Sequence, residues 1–175
     1  MAKQELRLAG SGGQGVILAT VILADAAVIA GRNAAQSQSY GPEARGGSCK
    51  AECIISDEEI GFTKVQHPTF LMALTQKSLD QYTVGLPEDC VVLADASLTI
   101  PACVKGNKIY SLPILSTARE KVGKAFTANI VAVGAINKLL SLVSAEDIRE
   151  AVMQHIPKGT EEINLKALDA GEALV

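Results

Sequence analysis

Aromatic residues are scarce in this sequence of 175 residues. Phe, Tyr and Trp together make up 3% of it, and Trp is absent. The formal net charge at pH 7 is −3. Proteins that bind single-stranded nucleic acid stack bases on aromatic rings in a positively charged groove, and attraction to an anionic membrane also requires a cationic surface. We therefore expect no nucleic acid and no membrane among the partners.

Cysteine and histidine are also few, and they are not clustered. The two histidines are at positions 67 and 155, and no two cysteines form a C-x-x-C pair. Zinc and iron–sulfur sites are usually built from tight clusters of these residues. We predict buried, reduced thiols and no metal or cluster bound by this chain. The four cysteines are Cys49, Cys53, Cys90 and Cys103.

One long apolar run resembles a membrane or signal segment. Between Val16 and Ala30 only Thr20 and Asp25 are not apolar. A membrane span needs about 20 predominantly apolar residues. In addition, Glu5 and a group of glycines precede the run, where a signal peptide would carry basic residues. The pattern instead predicts a helix that is buried on nearly all sides, in the core of a cytoplasmic protein.

Strand-like and helix-like segments alternate along the chain. Apolar residues make up 48% of the sequence, and no break in composition divides it. The alternation predicts an α/β fold, a layered single domain over residues 1–175 with a mixed, largely parallel sheet and flanking helices. The predicted strands are 5–9, 33–37, 48–55, 91–94 and 108–112, and the predicted helices are 16–31, 68–81, 126–142, 144–154 and 160–170.

Several local signals refine this assignment. Gly31 is predicted to end the first helix, and Ser144 is predicted to cap a later one. Thr117 and Glu120 have the spacing of a capping box that would open a short helix. The polar residues 56–59 between the segments 48–55 and 60–62 predict an antiparallel hairpin.

A glycine-rich turn follows the first predicted strand and matches the pattern G-x-G-x-x-G. Such a turn lets backbone amides approach a phosphate at the positive end of the next helix. The dinucleotide fingerprint also requires an acidic residue about 20 positions later, and residues 31–37 contain none. Tight strand–helix packing, binding of another anion and contact with a partner's cofactor remain as interpretations. The residues are Gly10, Ser11, Gly12, Gly13, Gln14 and Gly15.

In a second unusual segment, a charged pair, Glu43 and Arg45, lies between Gly-Pro and Gly-Gly. Loops of this composition often present side chains to a ligand or partner. The alternative is a surface turn with a screened ion pair of little energetic value. No serine or histidine lies in a nucleophile–base motif, so the chain is better interpreted as a subunit with no catalytic residue of its own. The candidate loop residues are Tyr40, Glu43, Arg45, Gly46 and Gly47.

These two motifs resemble those of a known family. The segment from Ala9 to Val16 looks like the opening motif of the gamma subunit of 2-oxoacid:ferredoxin oxidoreductases, and the segment from Ser39 to Gly47 is similar to its second motif. The resemblance continues in the same order over nearly the whole chain. Further matching positions are Ile54, Ile60, Leu74, Thr75, Gln76, Asp95, Asn129, Gly134, Asn164, Ala167 and Gly171.

The resemblance implies a multi-subunit enzyme that oxidatively decarboxylates a 2-oxoacid with coenzyme A, giving an acyl-CoA, CO2 and electrons for ferredoxin. It implies alpha and beta subunits that hold thiamine diphosphate and Mg, and a ferredoxin-like delta subunit that holds iron–sulfur clusters. The gamma part is then an α/β domain that binds no cofactor alone. It docks on the catalytic subunits and helps to shape the coenzyme A side of the site.

The second motif also indicates the substrate. Ala44-Arg45-Gly46-Gly47 is more similar to the 2-oxoglutarate type than to the pyruvate type, which carries Arg-Arg-Gly with a following Pro. The branched-chain and indolepyruvate enzymes are further alternatives. Many relatives have Pro at the position of Thr63, so the local loop departs from the family pattern. We expect 2-oxoglutarate as the substrate.

The resemblance also suggests roles for single residues. The amides of Gly12 to Gly15 are expected to face an anion in the assembled enzyme, namely a coenzyme A phosphate. Arg45 is expected to supply a second anion contact or an ion pair with a carboxylate of the alpha subunit. Two other classes compete with this interpretation: a free-standing nucleotide-binding α/β protein, and a non-catalytic scaffold.

Overall fold

A single six-stranded sheet organises the computed structural model, which describes residues 3–40, 47–104 and 106–175. The strand order is β2-β3-β1-β4-β5-β6. β3 pairs antiparallel with both β1 and β2, whereas β1, β4, β5 and β6 pair parallel in that order. The predicted α/β fold is confirmed. The strands are β1 Gln4–Ser11, β2 Asn33–Tyr40, β3 Ser48–Ser56, β4 Phe70–Ala73, β5 Val91–Asp95 and β6 Ile109–Leu112.

Helices cover both faces of this sheet, and they are distributed unevenly. On one face, α2 packs Leu79 against Ala73, Val92 and Ala94. The other helices build the larger core on the opposite face. None of the helices described is long and apolar enough to cross a membrane. The helices are α1 Val16–Ile29, α2 Gln76–Tyr82, α3 Ile114–Ser116, a π-helix Thr117–Val122, α4 Ala128–Leu140, α5 Ala145–His155 and α6 Glu161–Glu172, with short 3-10 turns at Ala102–Val104 and Ala125–Thr127.

Two of the predicted helix ends have the expected geometry. α1 ends at Ile29, and Gly31 has a φ of 77°, which suits a residue without a Cβ atom. The amide of Arg32 donates to Ala27 O over 2.9 Å and so closes the helix end. At the start of α5, Ser144 Oγ accepts a hydrogen bond from the Asp147 amide over 3.1 Å. Both ends are set by local chemistry, which is why the sequence reveals them.

The hairpin predicted for residues 48–55 and 60–62 is wrong. Residues 60–62 form no strand, and β3 pairs instead with β2 on one side and with β1 on the other. All eight residues of β1 pair with β3. Since β3 is paired along both of its edges by β1 and β2, no local partner strand is needed.

Three further local predictions need correction. Residues 68–81 are not one helix, because Phe70–Ala73 forms the buried strand β4 and only Gln76–Tyr82 is helical. Thr117 does not cap a helix, since the chain is already helical at Ile114–Ser116 and continues as a π-helix. The helix α1, predicted to be buried on nearly all sides, has seven of its 14 residues buried, and Val28 is 55% exposed.

Candidate functional site

The glycine-rich turn lies at the point where the direction of the chain through the sheet reverses. From β1 the chain passes through α1 to β2 at one end of the sheet, whereas from β4 it passes through α2 to β5 towards the other end. α1 and α2 lie on opposite faces. In open α/β sheets, such a switch point leaves a crevice at the carboxyl ends of two adjacent parallel strands. Here those strands are β1 and β4.

The backbone of the turn requires glycine at two positions. Gly13 and Gly15 have φ angles of 94° and 71°, in the left-handed region that residues with a Cβ atom disfavour. Gly15 is also the residue before α1, and no side chain caps this helix end. The first turn of α1 contains no acidic residue either. The positive end of the α1 dipole is therefore not neutralised by α1 itself.

Three amides of the turn already donate hydrogen bonds within the chain. Ser11 N donates to Gln14 Oε1 over 2.8 Å, and Gln14 N donates to Ser11 O over 3.2 Å. Gly12 N donates to Gly47 O over 3.0 Å. Within the described part of the chain, the amides of Gly13 and Gly15 have no such acceptor. These two amides and the first turn of α1 are thus the donors available to an external anion.

A small cavity of about 110 Å³ joins the two sequence motifs. Gly10 and Ser11 of the turn line one side of it, and Gly47, the last residue of the second motif, lines another together with Ser48. The cavity is completed by Thr75 and Lys77. Thr75 caps α2 by accepting a hydrogen bond from the Ser78 amide over 3.2 Å. Lys77 is exposed and adds a cationic side chain to the residues around this crevice.

The volume of this cavity limits what it can hold alone. Sites that enclose a small organic ligand usually measure about 300–1,000 Å³. At about 110 Å³, the cavity suits a single anionic group such as a phosphate, with the rest of the ligand outside. A larger ligand would need a second surface to cover it.

Most of the second motif falls outside the described residues. Glu43, Arg45 and Gly46 belong to the segment 41–46, so their predicted roles stay predictions. Tyr40 is the last residue of β2, where its backbone pairs with Cys49. Gly47 follows the segment and is buried, and its carbonyl oxygen accepts the Gly12 hydrogen bond.

Sequence analysis assigned no role to two residues near the turn. Lys77 lies on α2, and its position beside Gly10 depends on the long-range pairing of β1 with β4. Asn129 is buried in the first turn of α4, and its Nδ2 atom lies 2.6 Å from where a Cβ atom of Gly15 would stand. In the sequence, Asn129 stands out only as one of the positions that match the resembled family. A polar residue in an apolar helix was the available signal for it.

The histidines and Asp95 have structural partners. His155 Nε2 lies 3.0 Å from Asp25 Oδ2, which ties α5 to α1. The backbone amide of His67 donates to Glu5. Asp95 accepts hydrogen bonds from Ser97 N, 3.0 Å, and from Leu115 N, 2.8 Å, and so fixes the chain after β5.

The cysteines do not form a metal site in the described residues, in which no group of three or more His, Cys, Asp or Glu is placed to hold a metal ion. Cys49, Cys53 and Cys90 are buried as predicted, but Cys103 is exposed. Burial raises the pKa of Cys53 to about 12, and burial together with the nearby Asp89 raises the pKa of Cys90 to about 12. Protonated thiols are poor metal ligands and nucleophiles.

Comparison with known proteins agrees with the motifs. The family model described as pyruvate ferredoxin/flavodoxin oxidoreductase matches residues 5–174. The chain is 44% identical over 172 residues to the 2-oxoglutarate synthase subunit KorC of Methanocaldococcus jannaschii, a match that covers 97% of this chain and 92% of the relative.

Two further relatives extend this result. The crystal structure of the keto/oxoacid ferredoxin oxidoreductase gamma subunit from Geobacter sulfurreducens is similar with a TM-score of 0.84 at 43% identity, covering 96% of this chain and 95% of that one. The ketoisovalerate oxidoreductase subunit VorA of Methanothermobacter thermautotrophicus is 36% identical over 95% of this chain, but the match covers only 35% of that longer relative. The family predicted from the two motifs is confirmed: the chain belongs to the pyruvate ferredoxin/flavodoxin oxidoreductase family, among its gamma-type subunits.

Proposed function

We propose that this chain is the gamma subunit of a 2-oxoglutarate:ferredoxin oxidoreductase. The complex converts 2-oxoglutarate and coenzyme A to succinyl-CoA and CO2, and the electrons released pass to ferredoxin. The observation that carries the proposal is the similarity of nearly the whole chain to a 2-oxoglutarate synthase subunit, at 44% identity. The Ala-Arg-Gly-Gly of the second motif supports the same substrate.

Within this complex, the chain forms one wall of the coenzyme A side of the site. The amides of Gly13 and Gly15 and the ammonium group of Lys77 face a phosphate of coenzyme A. The support is the small crevice at the β1–β4 switch point, which Lys77 lines and whose volume of about 110 Å³ suits one anionic group but leaves a large ligand uncovered. Arg45 supplies a second anion contact or an ion pair with the alpha subunit.

The other cofactors belong to the partner subunits in this proposal. When bound there, thiamine diphosphate with Mg supplies the electron sink for decarboxylation, and iron–sulfur clusters carry electrons to ferredoxin. The buried thiols of this chain do not suit a cluster, because burial raises the pKa of Cys49, Cys53 and Cys90. The same proposal includes alpha, beta and delta subunits as the partners of this chain, and it places the complex in the cytoplasm.

Native mass spectrometry of the tagged protein, purified anaerobically from its own host, tests this proposal. We expect partner chains that carry thiamine diphosphate and iron–sulfur clusters to copurify. The same sample should reduce a redox dye in the presence of 2-oxoglutarate and coenzyme A. If the complex prefers another 2-oxoacid, the proposed substrate is wrong and the proposed subunit role still holds. A chain that purifies without partners or activity would overturn the subunit role.

Variants of the complex test the contact with coenzyme A. Lys77→Ala should raise the KM for coenzyme A about tenfold, since a charge-assisted hydrogen bond contributes ~1.5–3 kcal/mol. The KM for 2-oxoglutarate should stay unchanged. Lys158→Ala, which removes another exposed lysine, is the matched control. Equal effects of the two variants would argue against the role of Lys77.

Arg45→Ala distinguishes the two roles proposed for that residue. An anion contact predicts a higher KM for coenzyme A in an intact complex. An intersubunit ion pair predicts loss of the complex at low protein concentration, with normal kinetics in what remains assembled. If both the kinetics and the assembly match the wild type, neither role holds.

A further inference from the structure

The two edges of the sheet are protected to different degrees. β6 is an edge strand of four residues, Ile109–Leu112, and it is bounded by Lys108 and Pro113. Short length, lysine and proline are common means of preventing an edge from pairing with another chain. The other edge strand, β2, has eight residues and contains neither a charged residue nor a proline. β2 is therefore twice as long as β6 and lacks these protections within the strand, with Arg32 as the basic residue before it.

β2 is also poorly covered. All eight of its residues pair with β3, so one edge of the strand is fully hydrogen-bonded. No strand pairs with its other edge in the part of the chain that the structure describes. None of residues 33–39 is buried, in contrast to β4, where all four residues are buried. The outer edge of β2 is therefore open within the described part of the chain.

An apolar stripe on α1 lies beside this strand. Ile17, Val21, Ala24 and Val28 recur at helical spacing and share one flank of α1. The first three are partly buried and Val28 is 55% exposed. Thr20 stands at the border of this flank and accepts a hydrogen bond from Gln36 Nε2 of β2 over 3.2 Å. We call the four apolar residues and the outer edge of β2 the α1–β2 surface.

Among the described residues, the charged side chain of α1 and that directly before β2 are paired with residues elsewhere. Asp25 of α1 lies 3.0 Å from His155. Arg32, which precedes β2, lies 2.7 Å from Asp57. The surface itself carries no charge, so it favours an uncharged apolar partner. A nucleic acid or an anionic lipid would find no complementary charge there.

The fused relative indicates which partner this is. In VorA the region similar to this chain makes up only about a third of a longer polypeptide. Surfaces between that region and the remaining two thirds are intramolecular there. In a complex whose gamma part is a separate chain, the same surfaces are exposed until the subunits assemble. An uncharged, uncovered surface on a separate chain is expected under these conditions.

We infer that the α1–β2 surface docks the subunit that corresponds to the remaining two thirds of VorA. That subunit adds a strand to the free edge of β2 and packs an uncharged apolar face on the α1 stripe. Main-chain hydrogen bonds to β2 fix the orientation of the subunits, and the stripe contributes apolar contact area. This inference rests on the proposed function, since it places the partner of the same complex.

Hydrogen exchange measured by mass spectrometry tests the docking surface. The purified complex is compared with the full-length chain alone. Within residues 33–40, we expect the amides that point away from β3 to exchange at least tenfold more slowly in the complex, because the new strand would bond the free edge. Unchanged exchange in β2, with protection appearing only elsewhere, would overturn the inference.

A pair of matched variants gives a second readout. Val28→Lys places a charge on the stripe and should weaken subunit association at least tenfold, measured by titration of the chain into its partners. Val84→Lys is the control, since Val84 is 77% exposed and follows α2 on the opposite face. Both variants should keep the thermal stability of the wild type. Equal association of the two variants would overturn the inference.

The outcomes separate this inference from the proposed function. An active complex with unprotected β2 overturns the docking surface and leaves the function intact. Failure of the wild-type chain to associate with any partner overturns both. A dimer of the isolated chain that protects β2 and is broken by Val28→Lys would assign the surface to a second copy, and so would also overturn the inference.

Discussion

Asn129 stands directly behind Gly15. Its Nδ2 atom lies 2.6 Å from the position that a Cβ atom on Gly15 would take. Asn129 is in the first turn of α4, and Gly15 immediately precedes α1. The N-terminal ends of the two helices therefore meet at the glycine-rich turn. Glycine at residue 15 is needed both for the φ angle and for this close approach.

Gly15→Ala should destabilise the fold through both effects. A left-handed φ costs a non-glycine residue about 1–2 kcal/mol, and the crowding against Asn129 adds to that cost. We expect a loss of about 2–4 kcal/mol in the free energy of unfolding. For a chain of this size, each 1 kcal/mol lowers Tm by about 2–4 °C. Thermal and urea unfolding of the purified chain measure the change.

Gly13→Ala is the matched control for this experiment. Gly13 has a φ of 94°, but nothing lies within 4 Å of the position that its Cβ atom would take. Only the backbone strain should remain, so the loss should be smaller than for Gly15→Ala. Equal losses would mean that the contact with Asn129 contributes nothing to the requirement for glycine.

Gly134→Ala and Gly171→Ala should each destabilise the crossing of α4 and α6. A Cβ atom on Gly134 would overlap the carbonyl oxygen of Leu168, and one on Gly171 would overlap that of Val131. Backbone atoms cannot rotate away, so the helices must move apart. Overpacking of this kind costs about 1–3 kcal/mol or more. Urea unfolding gives the measurement.

The control for the helix crossing is Gly61→Ala. Gly61 has no positive φ, and open space surrounds the position of its Cβ atom. We expect no loss of stability there. Alanine restricts the conformations of the unfolded chain, which should raise the free energy of unfolding by a few tenths of a kcal/mol. If Gly134→Ala and Gly171→Ala unfold at the same urea concentration as Gly61→Ala, close packing does not explain the requirement for these two glycines.

Thiol labelling tests the burial of the cysteines. Cys103 is exposed, whereas Cys49, Cys53 and Cys90 are buried. At neutral pH, burial keeps their pKa values raised, so the reactive thiolate form is scarce. A thiol reagent should rapidly label one cysteine in the native chain and all four in denaturant. Cys103→Ser should abolish the fast labelling. Rapid labelling of this variant would contradict the buried state of the others.

Local chemistry explains which elements the sequence predicts correctly. Ser144 caps α5 through its own side chain, and Gly31 ends α1 through its own φ angle. Val91–Asp95 is a continuous apolar strand that is covered on both faces. Each of these signals lies within a short stretch of the sequence, so a single sequence reveals them.

Long-range pairing explains the elements that the sequence does not predict. Leu71, Leu74 and Leu79 have helical spacing, but Phe70–Ala73 is also a short apolar run that fits a buried strand. Periodicity cannot separate these alternatives over so few residues. The parallel pairing of β4 with β1 and β5 decides in favour of the strand.

The candidate site was predictable in its motifs but not in its geometry. The glycine pattern predicts a turn before a helix. It did not reveal that Gln14 folds back onto Ser11 N, or that Gly12 N bonds to Gly47 O. The first contact is local to the turn, whereas the second joins residues whose proximity depends on the pairing of β1 with β3. Lys77 enters the crevice for the same kind of reason, through the pairing of β1 with β4.

The carboxylate of Glu5 makes the stability of the fold depend on pH in the acid range. Its carboxylate accepts hydrogen bonds from the amides of Gln66, 2.8 Å, and His67, 3.1 Å, and pairs with Lys3 over 2.6 Å. Burial alone would raise the pKa of Glu5. The lysine and the two amides outweigh this effect and lower the pKa from its ordinary value of 4.5.

A lowered pKa in the folded state means that the unfolded chain binds more protons over the interval between the two pKa values. The stabilisation by Glu5 is thus complete above pH 4.5 and is lost as the pH falls through the lower, folded value. Glu5→Gln keeps the shape of the side chain but removes its charge. At pH 7 it should lower the free energy of unfolding by about 1–3 kcal/mol.

Urea unfolding of both proteins between pH 7 and pH 3 measures this dependence. The difference between wild type and Glu5→Gln should be largest at pH 7 and should shrink below pH 4.5, because the wild-type carboxyl group then becomes protonated. Glu88→Gln alters an exposed carboxylate and serves as the control. A difference that stays constant over this range would show that Glu5 acts through packing, since only its charged form responds to pH.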